Sequence, residues 1–308
     1  MFSSHVLSLL APGQGSQTPG MLTPWLELPG AADRVADWST ATGLDLARLG
    51  TTATAEEITD TAVTQPLVVA AALLSYAQLR RLHGELPAGT VVAGHSVGEL
   101  AAAAIAGVIS DDDAVTLAGI RGAEMAKACA LVPTGMAAVL GGDENEVLAR
   151  LADFELIPAN RNAKGQIVAA GALESIDKLV DNAPEKARIR KLPVAGAFHT
   201  HFMDPAQEAV GAAAAAITPA DPTLTLLSNA DGNAVASGSD ALSRLVSQVT
   251  SPVRWDLCSE YLRQNGADAL VELAPAGALA GIAKRELKGV PQRAVKVPTD
   301  LEDLPGLG

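Results

Sequence analysis

A serine stands at the centre of Gly94-His95-Ser96-Val97-Gly98, with a glycine two residues before it and another two after. That spacing fits a nucleophile elbow. The glycines permit a strained turn and a close strand–helix crossing, the hydroxyl is left exposed at a helix N-terminus, and the Val97 amide is aimed at a developing oxyanion. The bland alternative is a glycine-rich turn. A serine nucleophile needs a base, and the chain has five histidines: His5, His83, His95, His199 and His201. His5 is expected at a strand start, His83 at a solvated helix end, and His95 inside the elbow with its ring turned away from Ser96. His199 and His201 remain, and residue types alone do not choose between them. Arg121 is the next unusual residue. Positions around it on a helix include Leu117, Ala118, Met125 and Ala128, so it faces an apolar stripe and needs an anionic partner to offset desolvation. Glu124 is one candidate, and a substrate carboxylate gripped by a bidentate guanidinium is the other; the sequence weighs them equally. Gly13-Gln14-Gly15-Ser16-Gln17 lacks the pattern of a phosphate loop. It reads either as a capped turn or as a loop whose amides join an oxyanion hole.

These residues need a scaffold. The apolar run from His5 to Leu10 reads as a first strand, Gln65 to Leu82 as a helix opening at Pro66, and Thr90 to Ala93 as a short strand running into the elbow. An Ala-rich helix follows to about Gly107. Ser110, with Asp113 three residues on, caps a helix running to about Ala130. From about Gly135 the rhythm changes. Strand 136–140, helix 144–152, strands 156–159 and 166–170 around a turn at 160–165, helix 173–182 and strand 187–192 give the order βαββαβ of a ferredoxin-like unit. Helices near 203–217, 240–248, 256–265 and 278–287, with strands near 224–228 and 269–273, return to the larger unit. The expected fold is therefore α/β: a large α/β-hydrolase-like domain over 1–131 and 196–308, with a ferredoxin-like subdomain inserted over 132–195.

Composition narrows the function. The 308 residues are 48% apolar and 19% charged, which excludes dominant disorder. A net charge of −13 argues against binding nucleic acid or an anionic membrane through the overall field. Cys129 and Cys258 form no disulfide framework and no cluster suggests zinc or another metal, so a reducing, cytoplasmic setting is expected. The N-terminus lacks a basic n-region. The apolar runs 100–109 and 209–217 are too short to cross a bilayer. One feature speaks against an ordinary hydrolase: there the histidine comes near the chain's end, whereas no histidine follows His201.

Taken together, Pro12-Gly13-Gln14-Gly15-Ser16-Gln17, Gly94-His95-Ser96-Val97-Gly98-Glu99, Arg121-Gly122 and Gly196-Ala197-Phe198-His199 resemble the malonyl-CoA:acyl carrier protein transacylases of actinobacterial type. The similarity continues through Ser247-Gln248-Val249-Thr250-Ser251-Pro252-Val253 and Glu272-Leu273-Ala274-Pro275-Ala276-Gly277 and spans essentially the whole chain. The resemblance implies that Ser96 is acylated, that His199 rather than His201 is the base, and that Arg121 holds the free carboxylate of malonate. It also implies that the Gln14 and Val97 amides form the oxyanion hole, and that Gln248 lies beside the site with a main-chain carbonyl nearby orienting His199. Its substrates would be malonyl-CoA and phosphopantetheinylated acyl carrier protein, with no bound cofactor, and the protein would be a monomer. In related polyketide acyltransferase domains Ala-Phe-His goes with malonyl and Ala-Ser-His with methylmalonyl. Phe198 thus implies malonyl, although most transacylases of the fatty-acid pathway carry serine there. Carrier proteins are acidic, so the basic run containing Lys186, Arg188, Arg190 and Lys191 is a candidate docking strip, with Lys284-Arg285 second; a solvated strand edge is the alternative. Rival readings are a thioesterase on the same elbow, an acyltransferase serving a polyketide or lipid synthase, and a non-catalytic subunit keeping the fold.

Overall fold

The computed structural model describes residues 6–194 and 196–307; His5 lies outside them. Nine strands are found among the described residues: β1 (Leu7–Ala11), β2 (Val91–Gly94), β3 (Thr134–Gly141), β4 (Ile157–Ala163), β5 (Gln166–Ala172), β6 (Ala187–Lys191), β7 (Thr225–Leu226), β8 (Ala269–Glu272) and β9 (Gln292–Ala294). The helices are α1 (Thr23–Leu26), α2 (Ala31–Thr42), α3 (Leu46–Thr51), α4 (Thr61–His83), α5 (Gly98–Ile105), α6 (Asp111–Cys129), α7 (Glu144–Asp153), α8 (Leu173–Asp181), α9 (Asp204–Ala214), α10 (Gly238–Ser247), α11 (Trp255–Gln264) and α12 (Ala278–Glu286).

Two sheets organise them. The first is wholly parallel, in the order β7-β2-β1-β8-β9. Its central strands are buried along their whole length, as expected of a parallel sheet covered on both faces. The second is antiparallel, in the order β4-β5-β3-β6. It comes from one stretch of chain in the order βαββαβ expected from the sequence. Parallel pairing sets Ala11 beside Gly94 and Leu10 beside Glu272. The loop over 13–17, the elbow and the start of α12 therefore leave the sheet at the same, carboxyl end, where ligands bind in open α/β sheets.

Several boundaries differ from expectation. Helix α4 begins at Thr61, not at Pro66, because the Asp60 side chain accepts from the Ala62 N–H and starts the helix upstream. Pro66 is inside it. The turn expected over 160–165 shrinks to Lys164-Gly165, and Asn160 to Ala163 complete β4. Contacts distant in sequence hold that polar run extended: Arg161 N–H donates to the Val253 carbonyl at 2.9 Å. Helices α1 to α3 and strand β9 had no counterpart in the sequence reading. The α6 cap is as expected, with Ser110 and Asp113 forming a reciprocal capping box. Helix α4, unlike the shorter runs 100–109 and 209–217, is long and apolar enough to cross a membrane by length and composition; 78% of its most apolar window is buried inside the protein.

Candidate active site

The elbow is dictated by space. A Cβ at Gly94 would lie 2.1 Å from the Gly98 carbonyl, and one at Gly98 would lie 2.3 Å from the Ala11 carbonyl oxygen. Only glycine at both positions lets β2 turn straight into α5 across the end of β1. Ser96 sits at the bend with φ 54°, a left-handed conformation that a non-glycine residue adopts under constraint.

His199 reaches the same point from the other side. Its backbone is also left-handed, at φ 61°. The loop is pinned by Ala197 N–H donating to Thr134 Oγ1 at 3.0 Å and by Thr200 Oγ1 donating to the Ala197 carbonyl at 2.6 Å. His199 Nε2 lies 2.8 Å from Ser96 Oγ, and Nδ1 lies 2.8 Å from the Gln248 carbonyl oxygen. That carbonyl can only accept, so Nδ1 carries the proton and Nε2 presents its lone pair to the serine. Gln248 follows the last residue of α10, where a helix leaves its final carbonyls free. Burial, and after it the charge of Arg121, push the His199 imidazole down to about 3. The ring is neutral near pH 7, as a base must be.

Arg121 is 3% exposed. Helix α6 can bring it close to α4 because the next residue is Gly122, whose Cβ would stand 2.7 Å from the Thr61 carbonyl oxygen. Arg121 Nη1 donates to Gln65 Oε1 at 2.6 Å, and Nη2 donates to Gln248 Oε1 at 2.9 Å and to Ser96 Oγ at 3.3 Å. Glu124, the intrahelical candidate partner, bonds Lys127 instead. Burial lowers the Arg121 guanidinium to about 10 and the charge of Glu99 opposes this. Glu99 itself is raised to about 8 by burial, against donors from Asn229 and Gln248 and the charge of Arg121.

These groups open on a cavity of about 440 Å³. Gln14, Val97 and Phe198 line it with Ser96, His199 and Arg121. Among the described residues the main-chain N–H groups of Gln14 and Val97 donate to no protein acceptor, which leaves both free to face a developing oxyanion. The Gln14 side chain accepts from Thr61 Oγ1 at 2.8 Å, which fixes the loop to α4. Leu192 and Val194, just beyond β6, line one wall, and residues of α12 line another. At the rim Arg285 donates to Gln166 at 2.5 Å, tying α12 to β5.

The remaining sequence candidates fall as follows. Lys186, Arg188, Arg190 and Lys191 are exposed along or beside the edge strand β6; Lys191 pairs with Asp177, and Lys186 lies 3.6 Å from Glu185. His201 is exposed and packs on Phe202. His83 is not simply solvated: its Nε2 lies 2.6 Å from the Leu301 carbonyl. The His95 ring bonds Asn162 at 2.8 Å and meets Trp255 edge-on. Burial lowers its basicity. Cys258 is buried and donates weakly to the Ser228 carbonyl. Sequence reasoning missed Gln65 and Asn229, and quoted Glu99 without a role. No local pattern marks them, because each acts across the fold. No group of acidic, histidine or cysteine side chains able to hold a metal occurs among the described residues.

Comparison with known proteins places the chain in a family. Residues 9–303 match the family model described as the acyl transferase domain. The chain is 65% identical to the malonyl CoA-acyl carrier protein transacylase of Mycobacterium tuberculosis over 98% of this chain and 100% of that one. The crystal structure of MCAT from Mycobacterium tuberculosis superposes with a TM-score of 0.94 at 65% identity, covering 97% of this chain and 99% of that one. A malonyl-transacylase solved in complex with a type II polyketide acyl carrier protein gives a TM-score of 0.90 at 29% identity, covering 96% and 97%. An acyl transferase signature along nearly the whole sequence, carried on the fold of these relatives, leaves one assignment: the chain belongs to the family of malonyl-CoA:acyl carrier protein transacylases.

Proposed function

We infer that this protein moves a malonyl group from malonyl-CoA to the phosphopantetheine thiol of acyl carrier protein, supplying fatty acid synthesis, by way of a malonyl ester on Ser96. The observation that carries this reading is the convergence on Ser96 Oγ of His199 Nε2 at 2.8 Å and Arg121 Nη2 at 3.3 Å. His199 takes the Ser96 proton as Oγ attacks the thioester carbonyl. The new C–O bond forms, the C–S bond breaks, and the imidazolium returns its proton to the departing CoA sulfur. The carrier-protein thiol then attacks the ester, with His199 taking the thiol proton and handing it back to Ser96. The Gln14 and Val97 amides receive the oxyanion in both halves. The Gln248 carbonyl fixes the tautomer of His199 and supports its positive charge, so the unit is a dyad needing no acidic third member.

Arg121 selects the acid tail. With malonate bound, the carboxylate neutralises the guanidinium beside the imidazole, so the base gains strength when the intended substrate arrives. Phe198 stands on the cavity wall, 9% exposed, where its ring would crowd an α-methyl group. We further propose that the parallel sheet and its helices, over 1–131 and 196–308, form an α/β-hydrolase-like catalytic domain, and that 132–195 is a ferredoxin-like insert; Ala195 lies outside the described residues. The proposed working form is a cytoplasmic monomer without a bound cofactor. Carrier protein would approach along the exposed basic edge of β6, which leads to Leu192 and Val194 in the cavity wall. Intact-protein mass spectrometry after exposure to malonyl-CoA alone tests the function. One stable malonyl increment, absent from Ser96→Ala, is expected. Continuous thiol release with no lasting adduct would instead indicate a thioesterase.

A further inference from the structure

We propose that Glu99, together with Asn229, is the positioning unit from which the nucleophile, the base and the arginine of this site are all held. Glu99 lies in the first turn of α5 and is 5% exposed. One carboxylate oxygen accepts from the Asn229 main-chain N–H at 2.6 Å, and the other accepts from Gln248 Nε2. These two partners lead to different parts of the site.

The Asn229 arm ends at the elbow. Its Oδ1 accepts from the Ser96 N–H at 2.8 Å, and its Nδ2 donates to the Gly94 carbonyl at 2.8 Å. One side chain therefore clips the chain on both sides of the bend, where Ser96 is held in its left-handed conformation. The Gln248 arm ends at the other two groups. Its Oε1 accepts from Arg121 Nη2 at 2.9 Å, its main-chain oxygen orients His199, and its Nε2 also donates to the Ser96 carbonyl at 3.0 Å. Asn229 lies three residues beyond β7 and Gln248 just past the end of α10, so nothing in the local chain sets their spacing. The carboxylate between them does, with a longer direct bond from Gln248 Nε2 to Asn229 Oδ1 at 3.4 Å beside it.

A carboxylate is needed for a simple reason. Two N–H donors converge on it, one on each oxygen, so a carboxyl proton would face one of them; with the nearby Arg121 charge they hold the ionised form against the burial that raises Glu99. An amide of the same shape would turn an NH2 group toward one of those donors and lose that bond. Neither Glu99 nor Asn229 is among the residues lining the cavity, and neither bonds Ser96 Oγ. Both act through other residues.

The proposal rests on the site reading above, and the test separates the two. Parent protein, Glu99→Gln, Asn229→Ala, Ser96→Ala and Ser75→Ala are compared for melting midpoint, for the rate of acylation by malonyl-CoA and by acetyl-CoA, and for the rate of labelling by a small uncharged fluorophosphonate. The fluorophosphonate reads the reactivity of the serine without using Arg121. Ser75→Ala removes a buried hydroxyl that accepts from the Ala274 N–H and belongs neither to the cavity lining nor to the Glu99 network, and supplies a destabilised comparator. For Glu99→Gln we expect labelling and acylation to slow by on the order of 10- to 100-fold, the loss of one hydrogen bond to a charged group. The malonyl preference over acetyl should fall as well, because Gln248 no longer steadies Arg121. Asn229→Ala should slow labelling while leaving that preference near the parent value. Ser75→Ala should lower the midpoint alone.

Labelling of folded Glu99→Gln at the parent rate overturns the proposal, with the dyad and Arg121 left standing provided Ser96→Ala is inert. Labelling of Ser96→Ala at the parent rate overturns the site reading and the proposal with it. Should Glu99→Gln fail to fold, Asn229→Ala carries the decision on serine reactivity. Failure of both to fold would assign the pair to the core and overturn the proposal.

Discussion

Arg121→Ala removes a guanidinium that touches Gln65, Gln248 and Ser96 at once. Three losses follow, and they separate by substrate. The malonyl carboxylate loses its charge-assisted partner, worth about 1.5–3 kcal/mol. At about 1.36 kcal/mol per tenfold, that is roughly 10- to 150-fold in malonyl over acetyl. Gln65 Oε1 and Gln248 Oε1 lose a donor, at about 1–3 kcal/mol each. That cost falls on the protein whichever acyl group arrives. The contact with Ser96 Oγ also disappears equally for both. The ratio of acylation rates with malonyl-CoA and acetyl-CoA therefore isolates the carboxylate interaction, while the absolute rates and the melting midpoint report the other two. The assay is stopped-flow release of CoA thiol, with kcat/KM measured for each substrate. Arg121→Lys should fall between parent and alanine, since it keeps the charge and loses the planar fork. A malonyl-to-acetyl ratio unchanged in Arg121→Ala would refute the carboxylate role, whatever happens to the rates.

Acidity supplies a second expectation. Burial and the Arg121 charge disfavour the His199 imidazolium, so the base stays neutral well below the ordinary histidine range. The acid limb of acetyl-CoA acylation should lie below pH 6 and move upward in Arg121→Gln, where the repelling charge is gone; a limb that moves down, or stays, contradicts the assignment. The sign for stability follows from the same depressed basicity. The unfolded chain binds the His199 proton near 6.5 and the native state does not, so this group costs stability progressively as pH falls from about 6.5 toward about 3. Replacing Phe198 by serine should admit methylmalonyl-CoA, read as a rise in its kcat/KM relative to malonyl-CoA; an unchanged ratio would place the discrimination elsewhere. Reversing Arg188 and Arg190 together to glutamate should raise the KM for carrier protein and leave malonyl loading of Ser96 untouched, and a KM that does not move would put docking elsewhere, with Arg285 at the cavity rim the next surface to try.

Some of this protein is written locally. The elbow is legible because two glycines and a serine at fixed spacing, between a β-branched run and an Ala-rich run, satisfy steric demands that lie within a few residues. The α6 cap is legible for the same reason: Ser110 and Asp113 bond each other's backbone without help. The βαββαβ stretch shows through its alternating periods. Helix α4 shows its period but not its start, because the Asp60 cap upstream competes with the proline that sequence reasoning favoured. Asn160 to Ala163 look like a turn, but they pair with Gln166 to Val168 of β5 and are held from the other side by Val253 and His95.

The choice between His199 and His201 on geometry, the true partners of Arg121, and the existence of the Glu99–Asn229–Gln248 brace belong to the tertiary structure. Residue types offered two histidines two positions apart; the loop pinned to Thr134 through Ala197 turns one inward and leaves the other in solvent. They offered Glu124 or a substrate carboxylate for the arginine; close packing at Gly122 brings Gln65 to it within the protein, and Glu124 bonds Lys127. The reason is common to all three. Steric and capping signals act over a turn of chain and leave a mark in the sequence, whereas a buried polar group is satisfied by whatever the fold brings within about 3 Å, from residues that chain distance does not relate.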